Sequence, residues 1–173
     1  MRPRPAVPED AGAITRIYNG GIEERIATFE TRARTAEEVR SWFGGRHPVV
    51  VVVEEGGKVL AFAATSEYRS RECYAGIAEF SVYADRGARV RGAGGMAMGA
   101  LIPAAERAGF WKLVSRVFVE NEPSRRPLRS AGFREVGVYD KHARLDGAWR
   151  DVVIVERLLP QPVADRRAGP EFL

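Results

Sequence analysis

A chain of 173 residues with 45% apolar content is long enough for one packed core and short for two domains. Its net charge of +4 comes from 27 basic and 23 acidic residues, scattered without a block or aromatic interleaving, which argues against a nucleic-acid partner. One cysteine excludes an internal disulfide and two distant histidines give no metal motif, while the lack of a long apolar run or leader predicts a cytoplasmic protein without a membrane partner.

Arg2 to Val7 contains Pro3 and Pro5, so a first strand here belongs at a sheet edge. Pro8-Glu9-Asp10 places acidic residues at the start of a helix carrying Ala11, Ile14, Ile17 and Tyr18, which Gly20-Gly21 is expected to interrupt. Ile22 to Glu30 reads either as a second short helix or as an extended loop. Thr35-Ala36-Glu37-Glu38 is a capping box, opening a helix with Val39, Trp42 and Phe43 that stops at Gly44-Gly45. The run Val49 to Val53 predicts a central buried strand. Glu55-Gly56-Gly57-Lys58 is a hairpin turn into a partner strand, Val59 to Thr65, and a polar link from Glu67 to Glu72 follows.

Tyr74 to Ala84 reads as the next strand, and Arg89-Val90-Arg91-Gly92-Ala93-Gly94-Gly95 as a glycine-rich turn. Met96, Ala97, Ala100, Leu101, Ala104, Ala105 and Ala108 then recur at helical spacing. Strand, glycine turn and helix N-terminus make an anion site, because unpaired N–H groups and the helix dipole point at one spot. Arg89 and Arg91 add positive charge at its mouth, so a phosphate or pyrophosphate is the expected ligand. Beyond it lie a strand from Trp111 to Val119, a short helix from Pro123 to Ser130 ending at Gly132, and an antiparallel pair, Phe133 to Tyr139 with Trp149 to Leu158. Pro160 to Leu173 has three prolines and no periodicity, and is expected to be a disordered or loosely packed tail. The order predicts an α+β domain over residues 1–159 with a mixed sheet.

The glycine spacing fits neither the P-loop nor the dinucleotide fingerprint. Arg89, Gly92 and Gly94 instead match the Gln/Arg-x-x-Gly-x-Gly/Ala signature of the GNAT N-acetyltransferases. Residues 1 to 158 resemble the phosphinothricin and arsinothricin acetyltransferase-like branch of that superfamily. The matching pieces, in order, are Ile17-Tyr18-Asn19, Ala27-Thr28-Phe29-Glu30, Ala78 to Tyr83, Ala108-Gly109-Phe110, Asn121-Glu122-Pro123-Ser124, Ala131-Gly132-Phe133 and Gly147 to Val152. The resemblance implies a GNAT fold, a mostly antiparallel mixed sheet flanked by helices whose two central strands splay apart around the cofactor. It implies acetyl-CoA as cosubstrate, with no metal. Its pyrophosphate would lie on Arg89, Val90, Arg91, Gly92, Ala93, Gly94 and Gly95. A homodimer and a role in resistance are further implications.

Acetyl transfer to an amine needs a base for the ammonium proton and donors where charge develops on the thioester oxygen. In the resembling family a glutamate at the position of Glu79 is the base. Alternation would put Ile77, Glu79 and Ser81 on one strand face, and apolar surroundings would raise the pKa of Glu79, which suits that role. The N–H groups of Val82 and Tyr83 are the expected carbonyl donors. Asn121 and Ser124 occupy places that contact the cofactor's arm in the family, and Asn121 also reads as a helix cap with Pro123 in the first turn. Leu128 stands where many relatives carry a tyrosine or histidine, so no side-chain acid is assigned. Arg150 likewise replaces a histidine. Arg69 and Arg71 would bind a carboxylate and a second oxyanion, with Phe29, Tyr74 and Trp149 lining the acceptor pocket. The implied activity is acetylation of the amine of a phosphinothricin-, methionine sulfoximine- or arsinothricin-like substrate. The alternatives are another small amine or antibiotic, or a non-catalytic acyl-CoA-binding module.

Overall fold

The computed structural model describes residues 1–45, 50–89 and 91–160. Val49, Val90 and the expected tail beyond Pro160 therefore lie outside the described residues. Among those described, seven strands form one sheet: β1 (Arg2–Pro5), β2 (Val50–Glu55), β3 (Lys58–Glu67), β4 (Ile77–Ala84), β5 (Lys112–Phe118), β6 (Arg134–Leu145) and β7 (Ala148–Leu158). Their order is β1-β2-β3-β4-β5-β7-β6. The proline-bearing β1 is at an edge, where its missing N–H groups cost no ladder bonds. Two faces divide the core. The segment α1 (Ala11–Glu24) and the short α2 (Ala36–Arg40) cover Val50, Val52, Phe62 and Ala64 on one side. On the other, α4 (Ala93–Arg107), preceded by the one-turn α3 (Arg86–Arg89), packs against Val51, Val53, Ala61, Ala63, Ala78 and Phe80. Leu128 of α5 (Glu122–Ser130) joins that second core.

The pairing of β4 positions the site. β4 and β5 are parallel and register only over Ile77–Glu79 against Lys112–Val114. Beyond Glu79, β4 stays paired with β3 as far as Ala84, and β5 stays paired with β7 as far as Phe118. The two strands therefore part after Glu79 and leave a wedge between them, as the GNAT resemblance implied.

Several boundaries differ from expectation for packing reasons. α1 runs unbroken through Gly20 and Gly21 to Glu24 and is capped by Arg25, whose φ of 58° is left-handed. Gly21 is there because a Cβ would lie 2.6 Å from the Tyr83 ring. α4 starts at Ala93, three residues before Met96, and it continues through Pro103. α2 ends at Arg40, so Trp42 and Phe43 pack from the following turn. β4 starts at Ile77, after a 3₁₀ turn at Glu72–Tyr74. β6 extends to Leu145, past Tyr139, because Asp146 and Gly147 both adopt positive φ (49° and 79°) and close a tight hairpin.

Candidate active site

Register and packing fix which way each β4 side chain faces. Ala78, Phe80, Val82 and Ala84 turn toward α4. Tyr83 packs with α1, and Ser81 and Glu79 share its face by alternation. Glu79 is the last residue of β4 registered with β5, at the apex of the wedge. Its carboxylate is 27% exposed and meets Arg116 of β5, 37% exposed, at 3.1 Å between Oε1 and Nη1 and 3.5 Å between Oε2 and Nη2. The apolar surroundings expected of its strand lie on the opposite face; on its own face Glu79 meets a guanidinium and solvent.

Backbone direction corrects one expected donor. The Asp85 N–H donates to the Leu60 carbonyl at 2.8 Å, and the Gly76 carbonyl accepts from Trp111 on the β5 side at 2.8 Å. Alternation between these points turns the N–H groups of Val82 and Ala84 into the wedge and that of Tyr83 toward β3. Tyr83 contributes its ring instead. The ring stacks on Phe62 at 5.5 Å and meets Tyr18 edge-on at 4.8 Å. Burial pushes the Tyr83 phenol well above its ordinary pKa, with the Tyr18 and Thr28 hydroxyls beside it.

The anion site assembles at the open end of the wedge. Gly92 caps α4 with a φ of 78°, a conformation that a side chain would strain. The helical ladder begins at the Met96 N–H, which donates to the Gly92 carbonyl at 3.0 Å. The N–H groups of Ala93, Gly94 and Gly95 thus have no acceptor within the helix. A Cβ on Gly94 would lie 3.7 Å from Val82 and 3.9 Å from Ala84, so the helix end sits directly against the wedge-facing stretch of β4. Free N–H groups at a helix N-terminus, next to further N–H groups pointing into a cleft, fit a pyrophosphate with an arm entering the sheet. Arg89 donates to the Ala84 carbonyl at 3.1 Å and pairs with Glu24 at 2.7 Å, while Arg91 holds Glu55 at 2.8 and 2.7 Å. Both guanidinium groups are therefore anchored beside the loop by their own carboxylates.

Asn121 performs the capping role: its Oδ1 accepts from the Ser124 N–H at 3.3 Å, and its Nδ2 donates to the Ile26 carbonyl at 3.0 Å. That second bond ties the segment after α1 across to β5, where Phe29 packs edge-on against Phe118 at 4.9 Å. Arg69, Ser70, Arg71 and Tyr74 line an open depression of about 360 Å³ just ahead of β4. Arg69 lies over the Tyr68 ring at 5.3 Å, and Tyr68 meets Tyr74 edge-on at 5.8 Å. Trp149 does not join this group. It is opposite Arg144 in the β6–β7 ladder, beneath that guanidinium at 4.8 Å and half exposed. Alternation puts Arg150 and the buried Val152 on the acceptor face and turns Trp149 away. Arg150 sits 6.0 Å from the Phe118 ring and pairs with Glu120 at 2.7 Å. Arg116 was missed from the sequence, although its place two residues from Val114 and two from Phe118 puts it on the acceptor face.

A family model described as the acetyltransferase (GNAT) family matches residues 15–133. A phosphinothricin N-acetyltransferase of Streptomyces coelicolor is 33% identical over 162 residues, 90% of this chain and 95% of that protein. An L-methionine sulfoximine/L-methionine sulfone acetyltransferase of Salmonella typhimurium is 28% identical over 165 residues, 94% of each chain. The crystal structure of a GNAT superfamily phosphinothricin acetyltransferase from Sinorhizobium meliloti, in complex with acetyl-CoA, has a TM-score of 0.85 at 27% identity. It covers 94% of this chain and 90% of that one. The chain belongs to the GNAT family and has its fold. It is an acetyl-CoA-dependent N-acetyltransferase, similar within the family to the phosphinothricin acetyltransferases. Among the described residues no helix is long and apolar enough to cross a membrane.

Proposed function

We propose that the protein acetylates the amine of a small amino acid of phosphinothricin or methionine sulfoximine type, with an α-carboxylate at one end and a tetrahedral oxygen-bearing group at the other, by direct transfer with Glu79 as the base. The observation that carries this reading is the place of Glu79, at the apex of a wedge whose other end is an anion-binding helix N-terminus. Acetyl-CoA supplies the activated acetyl group. Ala93, Gly94 and Gly95 hold its pyrophosphate through their N–H groups, and Val82 offers an N–H to the thioester oxygen as charge develops there. Glu79 takes the proton of the substrate ammonium. The freed lone pair then forms the new C–N bond as the C–S bond breaks, and the departing thiolate takes a proton from solvent. Arg69 and Arg71 bind the oxygen-bearing group at the far end of the substrate, a phosphinate in phosphinothricin. The named activities of the Streptomyces and Salmonella relatives support this acceptor class.

The test is thiol release from acetyl-CoA across a panel of amino acids and amines. L-Phosphinothricin or L-methionine sulfoximine should rank first, and Glu79→Gln should lower kcat by about a hundredfold with acetyl-CoA affinity intact. Preference for an uncharged or cationic amine would remove the acceptor assignment. Full turnover by Glu79→Gln would remove the base.

A further inference from the structure

The geometry points to Arg116 as the anchor for the substrate's α-carboxylate, through an exchange of partners in which the Glu79–Arg116 ion pair opens around an incoming zwitterion. This inference rests on the acceptor class proposed above and adds which residue reads the α-carboxylate and which the far end of the substrate.

In any α-amino acid the amine and the carboxylate share one carbon, so their polar atoms lie about 3 Å apart. A base must approach the amine proton to about 3 Å. Whatever binds the α-carboxylate must therefore stand beside the base. Arg116 does: it is 3.1 Å from Glu79, on the neighbouring strand, at the point where β4 and β5 part. A carboxylate next to a guanidinium is the complement of an ammonium next to a carboxylate. The substrate's two charges can replace each partner with its own opposite.

The resting pair is suited to such an exchange. Both side chains are partly solvated, so their mutual attraction is weak and opening it costs little. Among the described residues Glu79 is the one carboxylate paired with Arg116, whereas Arg89, Arg91 and Arg150 are held by Glu24, Glu55 and Glu120. The guanidinium fork can donate two parallel hydrogen bonds to a carboxylate. Below it Phe118, buried and packed on Phe29, gives an apolar floor for the substrate's side chain. Arg69 and Arg71 line a depression ahead of β4, which leaves them the distal group, a phosphinate in phosphinothricin. Charge recognition is thus divided between the strand and the loop.

The experiment compares L-phosphinothricin with its α-carboxamide, which keeps the amine and the phosphinate and loses the α-charge. Wild type should prefer the acid. Arg116→Gln should raise KM for the acid by about thirtyfold while leaving KM for the carboxamide and for acetyl-CoA within about twofold, so that the preference disappears. Arg116→Lys should restore part of it, as a point charge without the fork. Calorimetry with acetyl-CoA reports whether each variant is folded, and if the glutamine variant is not, the partial loss expected of Arg116→Lys carries the test. Unchanged preference for the acid in a folded variant overturns the assignment, as does a wild type indifferent to the α-charge. If wild type releases no thiol with any amino acid, the acceptor class falls as well.

Discussion

Gly20 and Gly21 are neighbours in one helix with opposite reasons to exist. A Cβ on Gly20 would meet nothing within 4 Å, whereas one on Gly21 would lie 2.6 and 2.7 Å from the Tyr83 ring. That ring is held by Phe62 behind and Tyr18 at its edge, so it has little room to yield. Gly20→Ala should therefore stabilise the protein by about 0.5–1 kcal/mol, the ordinary gain of alanine over glycine in a helix. Gly21→Ala gains the same term but overpacks the ring by about 1–3 kcal/mol, for a net loss of about 1 kcal/mol. Urea midpoints should move in opposite directions, and a rise for both would mean Tyr83 relaxes freely. The pair also explains why the expected helix break failed. Propensity counts two glycines against a helix, while the close approach of a strand residue is a tertiary fact with no local signal. Arg116 escaped notice for a related reason: a lone arginine in a strand looks solvated until the neighbouring strand puts a carboxylate opposite it.

At the scale of elements, the N-terminus of α4 has N–H groups without acceptors in the helix, and Gly92 supplies no capping side chain. A helix left uncapped gains from any acidic residue in its first turn, by about 0.3–1 kcal/mol. Gly95 is the position to use, because a Cβ there would meet nothing within 4 Å. Gly95→Asp should thus raise the melting temperature of the free protein and at the same time weaken acetyl-CoA by at least about tenfold, or 1.4 kcal/mol, since its carboxylate competes with the pyrophosphate for the same donors. Stability and affinity moving together would show that the pyrophosphate lies elsewhere. The strand–turn–helix unit was legible because β-branched runs, clustered glycines and helical spacing are each local patterns. The wedge was not legible from local pattern and entered only through family resemblance, since it depends on where two sequence-distant strands stop pairing. Trp149 shows the same limit: its strand was readable, but its face depended on a hairpin register set by Asp146 and Gly147. Val82 and Tyr83 were both expected as donors because a splayed strand leaves its N–H groups unpaired, but successive N–H groups point to opposite edges of a strand, so that of Tyr83 faces β3.

For the whole molecule, many of the scattered basic and acidic residues are drawn into ion pairs that join distant parts of the chain. Arg4 on the edge strand β1 holds Asp10 at 2.7 and 2.8 Å and Glu54 of β2 at 2.7 Å. Arg125 and Arg129 hold Glu135. Lys112 and Arg134 hold Glu156. The hydrogen bonds from Arg4 keep Asp10 below its ordinary 3.8, and those from Arg125 keep Glu135 at about 2 against 4.5. A carboxylate whose folded pKa lies below its unfolded one binds fewer protons in the native state. Its contribution is then fully present above the unfolded value and is lost as pH falls through the folded value. Stability should accordingly be level from pH 7 to about 5 and fall steadily from about 4.5 toward 2. Asp10 is the member best suited to isolate this effect, since its side chain is nearly buried and also accepts from the Val7 N–H at 2.9 Å. Asp10→Asn should cost about 2 kcal/mol at neutral pH, the usual worth of charged hydrogen bonds whose partner is partly solvated. As pH falls below about 4, the unfolded chain protonates Asp10 before the native state does, so the advantage of wild type shrinks and the two unfolding curves should draw together. A gap that stays constant between pH 7 and pH 2 would mean that Asp10 acts through shape and its bond to Val7, with its charge irrelevant to the attachment of β1.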